Sequence, residues 1–201
     1  GVAQHTLRLA MADRPNLRSI QQTLESDAAL AARAVALAIE TAGPGFEPTS
    51  LEEALKAVPL ESLTADLLTT PVADQQALRH GRFKAQWEHN LAVAMAAQIV
   101  AQRVGTVDPE TAHLGGLIHD LGLSVLPVLM PRAFREVLHR LDDGGEDPLQ
   151  VERNVLGVDH VIVGTRLAQK WGFPESLQNG IWLHQQTHLS LPSQNGSGPR
   201  V

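Results

Sequence analysis

The chain contains no cysteine and no tyrosine, and its aromatic residues are limited to three Trp and four Phe among 201 residues. Without cysteine there is no disulfide and no thiolate ligand, so any bound metal must be held by His, Asp and Glu. Aromatic residues make up only 3% of the chain, which leaves few side chains on which single-stranded bases could stack.

Positive charge is also scarce, with 16 Lys and Arg against 22 Asp and Glu and a net charge of −6. No basic stripe is visible, so nucleic acid is not an expected partner. No apolar run approaches the roughly 20 residues that span a bilayer, and no signal peptide is visible. We therefore expect a cytoplasmic protein without a membrane partner, while 43% hydrophobic residues indicate a globular core.

The apolar residues recur at spacings of three and four, and alternating β-branched runs are nearly absent, which predicts an all-α fold. Helix starts are predicted at Asp27, at Ser50 with a capping box to Glu53, at Asp108 before Pro109, and at Asp159. We expect a small helical lobe over 1–75, a larger helical bundle over 76–189, and a disordered tail or linker over 190–201.

Two segments of the bundle bear on how its core is packed. A long helix over 85–104 carries His89, Val93, Ala96 and Val100 at helical spacing, which predicts one apolar face. The apolar segment 121–130 contains Pro127 and reads either as the end of a helix or as a buried extended strand.

The strongest chemical signal is the adjacent pair His119 and Asp120, in the sequence GGLIHDLG over 115–122. An imidazole and a carboxylate on neighbouring residues are both good ligands for a divalent metal. Further histidines stand on other predicted helices: His89, His160 and His184. We expect these five side chains to converge in one pocket, because isolated polar groups on apolar helices are costly unless they meet. The alternative is a polar core pair that is hydrogen-bonded between packed helices.

These segments, in this order, resemble the HDOD domain, a branch of the HD superfamily that includes metal-dependent phosphohydrolases. The resemblance is carried by WEHNLAVA over 87–94, by 114–122, by 152–164 and by 171–184, and it covers nearly the whole chain. It implies an HD-like helical bundle with a smaller N-terminal helical lobe. It also implies a metal site at His89, His119, Asp120, His160 and His184, with Fe, Mn, Mg or Zn as the divalent metal if one is bound.

Two departures from the HD pattern bear on activity. Leu123 stands where many HD enzymes have a lysine after the His-Asp pair, and no Asp follows Asp159 to supply the usual last ligand. His184 is followed by Gln185 rather than by a second histidine.

The resemblance and these departures together define the expected function. We expect a bacterial signal-transduction module, without catalytic activity, that mediates protein interaction or senses a ligand or metal. Its partner would be a signalling protein or a fused regulatory domain, and its oligomeric state stays open. The alternative function is a metal-dependent phosphohydrolase acting on a nucleotide or cyclic dinucleotide.

Overall fold

The computed structural model describes residues 1–70, 81–142 and 144–186, with side chains in the long central helix described from Ala85 onward. Within these ranges the chain is helical and has no strand, which confirms the all-α prediction. The first half holds α1 (Val2–Ala10), α2 (Leu17–Leu24), α3 (Ala28–Ala42), α4 (Leu51–Ala57) and α5 (Leu60–Thr69). The second half holds α6 (Gly81–Val104), α7 (Pro109–Ile118), α8 (Leu121–Leu129), α9 (Pro131–Asp142), α10 (Pro148–Leu156), α11 (His160–Lys170) and α12 (Glu175–Leu183).

Each of the four predicted capping residues directly precedes a helix. The side chains of Asp27, Asp108 and Asp159 each accept a hydrogen bond from a backbone N–H in the first turn of the helix that follows. The predicted capping box at α4 is only half right. Ser50 accepts from the backbone N–H of Glu53, but the Glu53 carboxylate accepts from Thr49 instead of from Ser50.

The segment 121–130 is a helix and not an extended strand. Pro127 lies inside α8 and is buried, although proline has no backbone N–H to donate to the carbonyl one turn earlier. Together with α7 it forms the apolar stretch Pro109–Leu129, which by length and composition alone is able to span a membrane. The expectation that no run approaches that length is therefore wrong. More than half of this stretch is buried within the fold, as in the core helix of a globular domain.

One continuous hydrophobic cluster extends through both halves of the described chain. It includes Ile20 and Val35 from the first half and Leu117 and Ile181 from the second. Helix α3 packs against α7 and α8, and so joins the N-terminal helices to the bundle. A smaller cluster beneath α9 and α10 is centred on Val137. The predicted lobe boundary at 75 and the predicted tail lie outside the described residues.

Helix α6 presents a different face to the core from the one that the sequence spacing predicted. Its buried positions are Asn90, Ala94 and Ala101, whereas Ala96 and Val100 are exposed to solvent. The prediction of a buried Val93, Ala96 and Val100 face is therefore wrong. The reason is that small apolar residues occur all round this helix, so periodicity does not single out one side.

Three glycines allow the backbones of neighbouring helices to come close together. A Cβ on Gly122 would stand 1.9 Å from the carbonyl oxygen of His160, and one on Gly164 would stand 2.9 Å from the backbone nitrogen of Gly122. On the other side, a Cβ on Gly116 would stand 2.7 Å from the Cα of Ala94. Backbones therefore touch directly between α8 and α11 and between α6 and α7.

We predict that Gly122→Ala destabilises the protein by at least about 1–3 kcal/mol, because the new methyl group must force α8 and α11 apart. The matched control is Gly180→Ala in α12, where a Cβ meets no atom within 4 Å. That control should stabilise the protein by about 0.5–1 kcal/mol through the usual preference of helices for alanine. Urea unfolding of both variants measures the difference, and equal stabilities would contradict the close contact.

Candidate metal centre

The structure brings the five predicted site residues together around the carboxylate of Asp120. Its Oδ2 lies 3.2 Å from Nε2 of His119 and 3.8 Å from Nε2 of His89. Its Oδ1 lies 2.9 Å from Nε2 of His184 and 3.6 Å from Nε2 of His160. Asp120 thus faces two pairs of histidines, one pair on each oxygen.

Four parts of the fold supply these side chains. His119 and Asp120 form the junction between α7 and α8, and both side chains are buried there. His160 is the first residue of α11, and His184 directly follows α12. His89 comes from α6, and its side chain is 54% exposed, so it marks the solvent side of the cluster.

Hydrogen bonds at Nδ1 determine which nitrogen of two rings faces the carboxylate. Nδ1 of His119 lies 2.7 Å from the carbonyl oxygen of Gly116, and Nδ1 of His184 lies 2.7 Å from that of Ile181. A carbonyl oxygen only accepts, so each Nδ1 carries the hydrogen and donates it. In the neutral ring, Nε2 then has a free lone pair, which is the form that binds a metal.

The Oδ2 side of Asp120 is already occupied by hydrogen bonds. Gln86 donates from its Nε2 to Oδ2 over 2.6 Å and to the side-chain oxygen of Asn90 over 2.9 Å. Nε2 of His89 and Nε2 of His119 lie 3.2 Å apart and share one hydrogen bond. The atoms of this half therefore satisfy one another.

The Oδ1 side is different, because none of its three ligand atoms has a hydrogen-bond partner. Oδ1 of Asp120, Nε2 of His160 and Nε2 of His184 are all buried and unpaired. The 2.9 Å contact between His184 and Oδ1 is close, but it is not directed as a hydrogen bond. These three atoms lie within 4.8 Å of one another, as do the ligand atoms of His89, His119 and Asp120.

The cluster shifts the pKa values of its two central groups in opposite directions. Burial raises the pKa of Asp120, but hydrogen bonds and positive charge from His119 and His184 in their protonated forms lower it by more, so it lies well below its usual range. Burial lowers the pKa of His119, but Asp120 and the Gly116 carbonyl raise it by more, so it lies above its usual value. The two groups thus favour an ion pair when no metal is bound.

Sequence reasoning missed two residues that contact the cluster. Gln86 bonds to Asp120, and the buried carboxylate of Glu152 bonds to His160. Gln86 lies one helical turn before His89, so its spacing would have identified it once His89 was taken as a site residue. Trp87, next to Gln86, is 39% exposed.

The fold and this cluster define a class of protein, namely an HD-type helical domain with a buried His/Asp group that is suited to hold a metal ion. The chain belongs to the HDOD domain family, whose model matches residues 1–187. No curated protein is significantly similar to it.

Two solved structures of MmoQ, a response regulator from Methylococcus capsulatus str. Bath, resemble the chain with TM-scores of 0.72 and 0.71. Their sequence identities are 26% and 28%, over 92% and 96% of this chain and 76% and 75% of theirs. An HDOD domain protein of unknown function from Geobacter sulfurreducens has a TM-score of 0.53 at 23% identity, over 96% of this chain and 65% of that one. This last similarity shows the fold alone.

We predict that Asp120→Asn destabilises the metal-free protein most strongly between about pH 4 and pH 6.5, by about 1–3 kcal/mol. The lowered pKa of Asp120 means that its contribution is complete above its ordinary value of 3.8 and is lost as the pH falls toward the folded value. The raised pKa of His119 means that its contribution is complete below 6.5 and is lost as the pH rises through the folded value. Urea unfolding across this range measures the difference, and a difference independent of pH would contradict the ion pair.

Proposed function

We propose that this HDOD domain is a bacterial signalling module without catalytic activity, and that it binds one divalent metal ion through Asp120, His160 and His184. The observation that carries the proposal is the group of three buried, unpaired ligand atoms on the Oδ1 side of Asp120. Buried polar atoms are nearly always hydrogen-bonded, so three unpaired atoms that face one another indicate that a ligand binds to all three.

When both imidazoles are neutral, the three atoms are all acceptors, and acceptors repel when they are left together. Oδ1 belongs to a carboxylate, and the ring nitrogens of His160 and His184 have their hydrogens on Nδ1, directed at Glu152 and at the Ile181 carbonyl. A divalent cation among them would attract all three lone pairs at once. The residues present therefore fit a metal.

Two imidazoles and one carboxylate suit Fe(II), Mn(II) or Zn(II) better than Mg(II), which prefers an all-oxygen environment. A metal held there would supply positive charge and Lewis acidity. The His89 and His119 half is a weaker candidate, because its atoms are already hydrogen-bonded and His89 is half exposed.

Two features favour binding over hydrolysis. Leu123, at the position where many HD enzymes have lysine, packs its side chain against the smaller hydrophobic cluster of Leu126, Phe134 and Val137. Residues 160–201 contain no Asp that could complete the ligand set. A phosphoryl transition state needs this charge, and the loss of one such electrostatic group typically lowers a rate by about 10²–10³.

The signalling context is suggested by MmoQ, which is named as a response regulator. By analogy, we propose a cytoplasmic module whose partner is a signalling protein or a regulatory domain in the same chain. Metal at Asp120, His160 and His184 would tie α8, α11 and the end of α12 together, and so stabilise one arrangement of these helices.

We predict that the purified domain binds one Zn²⁺ or Mn²⁺ ion per chain, and that His160→Ala and His184→Ala each abolish this binding. His89→Ala should retain it, because His89 faces the other oxygen of Asp120. His5→Ala, in α1 and outside the cluster, is the control for removing a histidine. Elemental analysis and calorimetric titration give the stoichiometry. Loss of binding only in the His89 variant would instead assign the metal to the His89 and His119 half of the cluster.

We predict no hydrolysis of cyclic dinucleotides or nucleoside phosphates, even with saturating Mn²⁺ or Fe²⁺. The comparison is with His119→Ala, which lacks the histidine of the His-Asp pair. Turnover in the wild type that disappears in this variant would establish the phosphohydrolase alternative.

A further inference from the structure

A buried carboxylate stands directly behind the proposed metal ligand His160. Glu152, in α10, has a side chain only 1% exposed, and an isolated carboxylate at such a depth would be very costly. Its partners both belong to His160. Oε2 accepts from the backbone N–H of His160 over 2.7 Å, and it lies 2.8 Å from Nδ1 of the same residue, with Oε1 at 3.0 Å.

This arrangement determines both the orientation and the protonation of the imidazole ring. An ionised carboxylate only accepts hydrogen bonds, so Nδ1 of His160 must carry a hydrogen and donate it. Nε2 of the neutral ring is then unprotonated, and it lies 3.6 Å from Oδ1 of Asp120 with no partner of its own. His184 is oriented in the same way, by the carbonyl oxygen of Ile181.

The turn between α10 and α11 explains why these two residues meet. Helix α10 ends at Gly157, which has a left-handed backbone conformation with φ of 76°. Asp159 then caps α11 by accepting from the backbone N–H of Ile162 over 2.9 Å. Its other oxygen pairs with Arg153, so Asp159 stabilises the turn without touching the His160 ring.

We infer that Glu152 is a positioning residue of the metal site, which holds His160 with its hydrogen on Nδ1 and its Nε2 lone pair directed at the metal position beside Asp120. The inference rests on the proposed metal-binding function. It assigns Glu152 no contact with the metal itself, because the carboxylate lies on the opposite side of the imidazole ring.

The test compares the wild type with Glu152→Ala, Glu152→Gln and Asp159→Asn, using Zn²⁺ alone as the probe. Glu152→Ala should lower the Zn²⁺ affinity by about 10–100-fold, the usual effect of losing such an outer partner. Glu152→Gln should lower the Zn²⁺ affinity less, because one amide oxygen is able to accept both hydrogen bonds that Oε2 now accepts. Asp159→Asn removes a buried charge from the same turn, and its Zn²⁺ affinity should stay at the wild-type value even where its melting temperature falls.

A second measurement uses only the wild-type protein, so it does not depend on whether a variant folds. The ¹⁵N NMR signals of the His160 ring in the metal-free wild type report which nitrogen is protonated, and we expect hydrogen on Nδ1 and none on Nε2. Addition of Zn²⁺ should shift the Nε2 signal and leave Nδ1 protonated. Hydrogen on Nε2 in the metal-free protein would overturn the inference.

The two proposals fail in different ways. A wild type that binds no Zn²⁺ or Mn²⁺ would refute the metal-binding function, and the role of Glu152 with it. A wild type that binds Zn²⁺ together with a folded Glu152→Ala variant of equal affinity would refute only the role of Glu152. An equal loss of affinity in Asp159→Asn and Glu152→Ala would also refute it, since the effect would then come from the turn as a whole.

Discussion

The site depends on one close backbone contact, between Gly122 in α8 and the first residue of α11. Because Gly122 has no Cβ, the carbonyl of His160 approaches it more closely than any other residue would permit. Gly164 extends the contact by one helical turn. Asp120 lies two residues before Gly122, so the same contact brings its carboxylate to within 3.6 Å of the His160 ring. Helix packing, and not attraction between polar groups, therefore sets the dimensions of the cluster.

The two halves of this polar cluster differ in how their hydrogen-bond acceptors are paired. On the Oδ2 side, Gln86 and the shared hydrogen bond between His89 and His119 provide donors for the acceptors. On the Oδ1 side, the outer nitrogens of His160 and His184 are hydrogen-bonded away from the centre, which leaves only acceptors inside. Such an arrangement is costly in the absence of a cation and favourable in its presence, so metal binding and stability should be linked.

The sequence predicted those features that are encoded locally or by unusual residue types. Caps at Asp27, Asp108 and Asp159 follow from neighbouring backbone N–H groups, and the histidines stood out because polar residues on apolar helices are rare. The orientation of α6 was not predictable, since Ala94 and Ala96 look alike in sequence although only the first is buried. Glu152 was missed because its partner lies eight residues away, and the two meet only through the conformation of the turn at Gly157.

Leu123, which stands where many HD enzymes have lysine, is part of the hydrophobic packing of the bundle. Leu123 lies one residue after Gly122, and its side chain packs against the smaller hydrophobic cluster. A lysine at this position would lose that apolar contact and would need to carry its ammonium group past the cluster to reach the site. A lysine ammonium group at this position would therefore come at the expense of the hydrophobic packing between α8, α9 and α10. A reversal at this one position would lower stability before it restored any charge for phosphate binding.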